Sequence, residues 1–332
     1  MSVIETILEK AKADPRRIVL AEGSDPRILA AAVQSVEAGT AHPLLLGDAD
    51  EIAAAAAKSG HRLNDIEVID PARSRRAVQY AQALFQKRRH KGMTEARAAE
   101  RIHAPLTYAA MMVAQGDADG MVAGAVHTTA EVVRTVIQLL GVKPGSALVS
   151  SFFIMDCRQP HHPLHGSFIF SDSALVIDPD ARQLADIAAA AAASAQTLLG
   201  DEPRLAMLSF STHGSAHHPN ARKVAEATRL LRDRRPALKV DGEVQVDAAL
   251  IPEIAASKMR ESQVAGQANV LIFPNLDAGN IGYKLVQRLG GGEAIGPLLQ
   301  GLNHPANDLS RGCDADEVFK AMAVTVVQAQ TA

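Results

Sequence analysis

Short apolar runs alternate along the chain with longer segments in which apolar residues recur every three or four positions. Runs of this length predict buried strands, and the longer pattern predicts amphipathic helices. The clearest predicted strands are Arg17–Ala21, Pro43–Gly47, Gly120–Gly124, Leu205–Ser211 and Val270–Pro274. Such alternation indicates the α/β class, with a mainly parallel sheet and helices on both of its faces.

Capping residues after these strands predict where helices begin. Asp25 before Pro26 predicts one start, because an aspartate cap and a proline at the first helical position both suit a helix N-terminus. Thr128 and Glu131 have the spacing of a capping box, which predicts a helix that contains Arg134.

Residues 141–182 differ from the rest of the chain, because Pro, Gly and Ser are frequent there and the apolar pieces are short. This composition predicts an antiparallel hairpin or a crossover between two lobes. We therefore expect a domain boundary near residue 150.

Composition narrows the class of protein. A length of 332 residues suits one large domain or two, and 47% hydrophobic residues are typical of a globular chain. The 34 Lys and Arg residues are balanced by 37 Asp and Glu, so no basic field favours nucleic acid as a partner. An aromatic content of 3% also argues against a protein that stacks on single-stranded bases.

The two cysteines and the pattern of the N-terminal residues indicate the cellular compartment of the protein. Cys157 and Cys313 lack the spacing of a disulfide framework, which favours a reducing environment. The first residues are amphipathic, with Glu5 and Glu9 inside the apolar pattern, unlike a signal peptide. No apolar run approaches the roughly 18–20 residues of a membrane span. We therefore predict a cytoplasmic protein with no membrane partner.

Several familiar motifs are absent, namely GxxxxGK[ST], GxGxxG, GxSxG and HExxH. The ligands of this α/β chain must therefore be bound by another arrangement. One candidate is the group His213, His217 and His218, which follows a predicted strand end where α/β sheets commonly bind ligands. A solvated loop is the alternative for these three histidines.

A second histidine group, His161, His162 and His165, could in principle bind a metal ion. Pro160 and Pro163 prevent a helix that would direct the imidazoles to one side. We therefore interpret the group as a solvated loop and predict no metal.

Basic residues offer sites for an anion. Arg134 follows the predicted helix start at Thr128 and Thr129, and helix N-termini with a nearby arginine suit phosphate. Arg88 lies in the basic run Lys87–Gly92, which is either an anion contact or a solvated helix end.

The segment that precedes the C-terminal helix combines a hydroxyl, a guanidinium and carboxylates. Ser310 and Arg311 stand before a helix predicted from about Asp314. Glu317 is then either a reactive carboxylate or the partner of Asp314 in a capping box. Spacing alone leaves both interpretations open.

Six blocks together resemble the phosphate acetyltransferase (phosphotransacetylase) family over nearly the whole length. They are Arg88–Thr94, Ala118–Arg134, Met207–Pro219, Asp241–Ala249, Val264–Arg288 and Gly296–Gly312. The resemblance implies a homodimer with a two-domain, three-layer α/β/α fold of the isocitrate/isopropylmalate dehydrogenase-like type. Domain I would comprise residues 1–150 and 296–332, and domain II residues 151–295.

The same resemblance implies an enzyme of acetate metabolism, an acyltransferase that converts acetyl-CoA and phosphate reversibly to acetyl phosphate and CoA. It implies a ternary-complex mechanism with a carboxylate base, CoA as a substrate, and no metal or other cofactor. An acyl-enzyme on Cys157 or Cys313 is the mechanistic alternative. The functional alternatives are transfer of a propionyl or butyryl group and a non-catalytic regulator that binds acyl-CoA.

By position in the family's motifs, Ser310 and Arg311 would be catalytic, with the Ser310 hydroxyl as an oxyanion donor. Glu317 stands seven residues after this serine, where the family has aspartate, and Asp316 is the alternative base. The predicted substrate-binding residues are Arg88, Arg134, Thr128, Thr129, Asn280, Tyr283 and Lys284.

Overall fold

The computed structural model of the chain describes residues 2–63, 65–158, 162, 166–259 and 261–331. The chain divides into two compact units. The terminal unit comprises Ile4–Lys143 and Leu302–Ala332, and the central unit comprises residues 1–3 and Pro144–Gly301. The division into domains at 150 and 296 stays a prediction. None of the helices formed by the described residues has the length and apolar character needed to cross a membrane.

The terminal unit is built on a parallel sheet of five strands in the order β11-β4-β1-β2-β3. Its strands are β1 (Arg16–Leu20), β2 (Ala41–Leu46), β3 (Glu67–Ile69), β4 (Gly120–Ala123) and β11 (Ala306–Asp308). Its helices are α1 (Val3–Ala13), α2 (Pro26–Ala38), α3 (Ala49–Lys58), α4 (Ala77–Arg88), α5 (Glu95–Arg101), α6 (Pro105–Ala114), α7 (Thr129–Leu139) and α13 (Ala315–Gln330).

The first strand and helix of this sheet follow the sequence pattern. Ile18, Val19 and Leu20 of β1 are completely buried, as a strand covered on both faces requires. The side chain of Asp25 then accepts a hydrogen bond from the Arg27 N–H and caps α2. The predictions of this strand and of the helix start at Pro26 are confirmed.

The central unit is built on a mixed sheet of six strands in the order β10-β5-β6-β9-β7-β8. Its strands are β5 (Ser150–Asp156), β6 (Ser167–Ser171), β7 (Arg204–Leu208), β8 (Lys239–Val244), β9 (Val270–Ile272) and β10 (Glu293–Gln300). Its helices are α8 (Ala181–Leu198), α9 (Pro219–Arg234), α10 (Val246–Leu250), α11 (Pro252–Lys258) and α12 (Leu276–Arg288).

The pairing of the strands is mainly parallel, as predicted, and the sheet of the central unit adds one antiparallel strand. Strand β5 runs antiparallel to both β6 and β10, whereas β6, β9, β7 and β8 are parallel. Every residue of β5 and β6 is buried, so the hairpin predicted within residues 141–182 is an interior part of the sheet. The class is α/β, with two sheets formed by the described residues.

Strand order in the terminal unit reverses the direction of winding between β1 and β4. The chain passes from β1 to β2 and β3 on one side, whereas β4 and β11 lie on the other side of β1. Ligands of open parallel sheets commonly bind at the carboxyl ends of the strands where the direction of winding reverses. The loops after β1, β4 and β11 therefore lie where a ligand of this sheet is expected to bind.

Candidate active site

Glu22, just after β1, organises the loop that follows β4. Its buried carboxylate accepts hydrogen bonds from the backbone N–H groups of residues 124–127 at 2.8–3.1 Å. The imidazole Nδ1 of His127 lies 2.7 Å from the same carboxylate. These contacts set the path of the chain into α7.

The hydrogen-bond donors around Glu22 stabilise its negative charge. Burial by itself would raise the pKa of Glu22, but the hydrogen bonds from His127 and the loop amides hold that pKa below its usual range. The bond to Glu22 in turn raises the pKa of His127 against the opposing effect of burial. Each of the two side chains therefore favours the charged form of the other.

Arg27 links the loops after all three strands. Its guanidinium binds the Asp25 carboxylate at 2.8 and 3.0 Å. It also donates to the carbonyl oxygens of Ala125 at 2.8 Å, Arg311 at 2.7 Å and Cys313 at 3.1 Å. The loop that carries Ser310 and Arg311 is thus held beside the loop that leads into α7.

The N-terminus of α7 is capped as its sequence predicts. The Thr128 hydroxyl accepts a hydrogen bond from the Glu131 N–H, and the Glu131 carboxylate accepts one from the Thr128 N–H. Arg134 is exposed, and its side chain forms no hydrogen bond or ion pair with the described residues. The guanidinium of Arg134 is therefore available to a ligand near this helix start.

The loop after β11 presents two of the predicted catalytic side chains to solvent. The Cys313 N–H donates to the Ser310 carbonyl at 2.9 Å, and the Gly312 N–H donates to Ser310 Oγ at 3.2 Å. These bonds make a tight turn that exposes Ser310 and Arg311. Within the described part of the chain, the Arg311 guanidinium has no hydrogen-bond or ion-pair partner, so it too can bind an anion.

Glu317 takes part in the capping box at the start of α13. Its N–H donates to Asp314 Oδ1 at 2.8 Å, and its Oε2 accepts from the Asp314 N–H at 3.2 Å. The side chain is exposed, and a carboxylate has two oxygens, so capping does not prevent it from binding a proton. Asp316 forms an ion pair with Lys320 at 2.6 Å. The base role of Glu317 stays a prediction.

Arg88 ends α4 and leads into a short 3₁₀ turn, Arg89–Lys91. It is half-exposed, and among the described residues its side chain forms no hydrogen bond or ion pair with the loops after β4 and β11. The terminal unit therefore brings together Thr128, Thr129 and Arg134 with Ser310, Arg311 and Glu317, which lie on neighbouring loops and helices. The assignment of Arg88 to substrate binding stays a prediction.

A buried carboxylate lies beneath these loops. Asp308, the last residue of β11, is 1% exposed, and neither of its carboxylate oxygens has a hydrogen-bond partner among the described residues. Burial raises the pKa of Asp308 to about 6, and the negative charge of Glu22 adds to this effect. The Thr129 hydroxyl and the Leu309 N–H oppose the shift only in part.

Gly124 makes the close approach between β4 and β11 possible. A Cβ atom built on Gly124 would lie 2.4 Å from Asp308 Oδ1 and 2.6 Å from the Leu309 nitrogen. Its φ of +115° is also one that residues with a side chain rarely adopt. A glycine is therefore required at the point where the two loops and the buried carboxylate meet.

Both cysteines lie in surroundings that disfavour a thiolate. Burial raises the pKa of Cys313 to about 11 although the Arg27 guanidinium opposes the shift. Burial, with the charge of Asp156, raises the pKa of Cys157 to about 11 as well. Because the thiolate is the nucleophile, these values argue against an acyl-enzyme on either residue.

The central unit has its own cleft at the carboxyl ends of β7 and β9. Its volume is about 570 Å³, and its lining includes Phe210, Ile177 and Lys223. Phe210 is 57% exposed and Ile177 is 75% exposed, so the walls offer apolar surface to a ligand. The Lys223 ammonium is paired with Asp178 at 2.7 Å.

The three predicted binding residues on α12 do not line this cleft. The Asn280 amide donates to the Ser173 carbonyl at 3.1 Å, and the Tyr283 ring stacks on Phe153 at 4.1 Å between centroids. Lys284 places its ammonium 5.9 Å from the centre of the Tyr283 ring. Their role in substrate binding stays a prediction, although the N-terminal end of the same helix does line the cleft.

The histidine groups have varied surroundings. His161 and His165 lie outside the described residues, whereas His162 is buried with its ring 4.5 Å from that of Phe168. His213 and His217 are exposed, and His218 caps α9 by accepting from the Asn220 N–H at 3.2 Å. No group of three or more possible metal ligands occurs within the described residues.

Sequence reasoning missed three charged residues that build the site, namely Glu22, Arg27 and Asp308. Glu22 and Asp308 each stand at or just after the carboxyl end of an apolar strand, which is a signal that the sequence does contain. Arg27 carried no such signal, because its role depends on carbonyl groups that are remote along the chain.

Comparison with known proteins identifies the family. A family model described as phosphate acetyl/butaryl transferase matches residues 2–326. Phosphate acetyltransferases of Acetivibrio thermocellus and Thermoanaerobacterium thermosaccharolyticum are each 48% identical to this chain over 330 residues, which is 99% of this chain and 99% and 100% of theirs. The structure of a phosphotransacetylase from Streptococcus pyogenes superposes with a TM-score of 0.94 at 40% identity, and the match covers 99% of this chain and 98% of that one. The chain therefore belongs to the phosphate acetyl/butaryl transferase family.

Proposed function

We propose that this chain catalyses the reversible reaction of acetyl-CoA and phosphate to give acetyl phosphate and CoA. One observation carries the proposal beyond family membership. At the carboxyl edge of the terminal sheet, the start of α7 and the loop of Ser310 are joined by Arg27. The guanidinium groups of Arg134 and Arg311 stay unpaired within the described residues, which leaves positive charge for a phosphate.

Phosphate would bind at the start of α7. The first turn of a helix has backbone N–H groups without intrahelical partners, and here Thr129 adds a hydroxyl. The negative charges of Glu22, Glu131 and Asp308 are close to this helix start, so the helix dipole alone would attract an anion weakly. Arg134 and Arg311 would supply the compensating charge and the planar donors that suit phosphate oxygens.

The chemical step needs a proton carrier and a stabiliser of developing charge. When a phosphate oxygen attacks the acetyl carbonyl carbon, the carbonyl oxygen becomes negative. The carbonyl then re-forms while the C–S bond breaks and its electron pair leaves with the CoA sulfur. The Ser310 hydroxyl, exposed on its turn, would donate to this oxygen. Glu317 would transfer the phosphate proton to the departing CoA sulfur, and in reverse it would remove the proton from the CoA thiol.

The cleft of the central unit suits the apolar part of CoA. Its cleft of about 570 Å³ is of the size that holds a substantial small molecule. We assign this cleft to the pantetheine chain or the ring system of CoA, because Phe210 and Ile177 present apolar surface there. Lys223 is engaged by Asp178, so this end is less suited to phosphate groups.

Five finer statements complete the proposal. The acyl group is acetyl, with propionyl and butyryl as alternatives, and CoA is a substrate rather than a bound cofactor. The fold is of the isocitrate/isopropylmalate dehydrogenase-like type, and the protein acts in the cytoplasm. The chain forms a homodimer, which the exposed apolar residues Ile281, Leu285 and Leu289 along α12 support.

Replacement of Arg134 by alanine tests the phosphate site. Arg134→Ala should raise the KM for phosphate at least tenfold, because a charge-assisted contact is lost, and should leave the KM for acetyl-CoA nearly unchanged. Phe210→Ala is the matched control with the reverse expectation, a higher KM for acetyl-CoA and an unchanged KM for phosphate.

Steady-state kinetics with each substrate varied at saturation of the other would give the four values. If Arg134→Ala raised only the KM for acetyl-CoA, the assignment of phosphate to the start of α7 would be wrong. If Phe210→Ala changed neither constant, CoA would have to bind elsewhere than in the cleft.

A further inference from the structure

The environment of Asp308 is unusual for a buried acidic residue. Its side chain is removed from water, yet neither oxygen meets a donor in hydrogen-bonding geometry among the described residues. Gly124, just after β4, lies so close that a Cβ atom built on it would be 2.4 Å from Asp308 Oδ1. A buried carboxylate without donors is costly in its ionised form.

The charged groups around Asp308 increase the free-energy cost of its ionised form. Glu22 faces Asp308 from the end of β1, and its charge is held by the four loop amides and His127. Glu131 caps α7 above the same loop, and the Arg27 guanidinium is engaged by Asp25 and by backbone carbonyls. Arg27 and His127 are thus committed to other partners, and the unpaired guanidinium groups of Arg134 and Arg311 are the ones assigned to phosphate.

The anion proposed to bind at the start of α7 would add further negative charge beside this carboxylate. Two like charges in one buried place cannot both be ionised without a large penalty, so one of them takes up a proton. Glu22 cannot readily do so because of its donors. Asp308 is the group that can, because its nearest donors, the Thr129 hydroxyl and the Leu309 N–H, do not meet its oxygens in hydrogen-bonding geometry.

We propose that Asp308 is a positioning residue that takes up one proton from solvent when phosphate binds, and so permits the anion to lie at the start of α7. In its protonated form the carboxyl group can donate to the nearby Thr129 hydroxyl and steady the first turn of the helix. The proton returns to solvent when acetyl phosphate leaves, so the overall reaction is unchanged. This inference rests on the phosphate site of the proposed function.

The pKa of Asp308, raised to about 6 by burial, places the ionised form in the majority at neutral pH before phosphate binds. Binding that requires the protonated form therefore becomes weaker as the pH rises above this value. The effect should be absent from Asp308→Asn, which keeps the shape but carries no charge. Titration of phosphate itself affects both proteins equally and cancels in their comparison.

The test is the pH dependence of the KM for phosphate at saturating acetyl-CoA. Between pH 6 and pH 8, the ratio of the wild-type KM to that of Asp308→Asn should rise on the order of tenfold or more. Asp48→Asn, which alters an exposed cap of α3 in the same unit, should follow the wild type throughout. Parallel profiles in the wild type and Asp308→Asn would overturn the inference while leaving the phosphate site standing.

A second measurement uses the unaltered protein and so does not depend on the folding of the variant. Addition of inorganic phosphate to the wild type at pH 7 should produce the infrared band of a protonated carboxyl group. An active wild-type enzyme without this band would contradict the inference. A wild type that releases no CoA with phosphate at any pH would overturn the proposed function, and this inference with it.

Discussion

Glu317→Gln should lose most of the acetyl-transfer activity while the midpoint of thermal unfolding stays almost unchanged. Glutamine keeps the size of the side chain and an oxygen that can accept from the Asp314 N–H, so the capping box of α13 survives. It cannot carry a proton between phosphate and the CoA sulfur. We therefore expect kcat to fall by on the order of a hundredfold or more, within the range of general acid–base catalysis.

Two further variants separate the base from its alternatives. Glu317→Asp should retain more activity than Glu317→Gln, because it keeps a carboxylate, although one positioned about 1 Å away. Asp316→Asn should remain active, because that side chain is paired with Lys320 and points about 100° away around the helix. Full activity in Glu317→Gln together with a loss in Asp316→Asn would transfer the base role to Asp316.

The second large effect is expected at Ser310. Ser310→Ala should lower kcat by about a hundredfold to a thousandfold, with little change in either KM, as for the loss of one oxyanion donor worth about 3–4 kcal/mol. The backbone of the turn should persist, because the Cys313 N–H donates to the carbonyl of residue 310 rather than to its hydroxyl.

Measuring kcat and the free energy of unfolding on the same preparation separates a catalytic role of Ser310 from a purely structural one. The Ser310 hydroxyl also accepts from the Gly312 N–H, a local bond between exposed groups. Its loss should change the free energy of unfolding by no more than about 1 kcal/mol. An unchanged kcat would assign Ser310 to the turn alone.

The local parts of the fold could be predicted from the sequence because their signals are local. Apolar runs marked β1 and β4, and Asp25 and Thr128 marked the starts of α2 and α7, as the structure confirms. Which strands share a sheet is not recorded locally, since it depends on the pairing of remote segments. The strand orders of the two sheets were therefore not predicted, although an antiparallel hairpin or a crossover between two lobes was.

The candidate site likewise contains some residues that local sequence signals indicate and others that they do not. Thr128, Arg134 and Ser310 stand beside recognisable helix starts and turns, so sequence could indicate them. Glu22 acts on a loop more than a hundred positions later, and Arg27 reaches Arg311 across 284 positions. Their roles follow from the order of strands in the sheet, which composition and spacing do not reveal.

The central claim is acyl transfer from CoA to phosphate at the edge of the terminal sheet, and its most direct test is phosphate-dependent release of CoA. The purified protein would be supplied with acetyl-, propionyl- or butyryl-CoA, with and without inorganic phosphate, while free thiol and acyl phosphate are measured. We predict release only when phosphate is present, one acyl phosphate for each thiol, and the highest kcat/KM with acetyl-CoA. A pocket distinguishes one methylene by about 1–3 kcal/mol, which makes the preference measurable. No phosphate-dependent release from any of the three thioesters would contradict the claim and favour a non-catalytic protein that binds acyl-CoA.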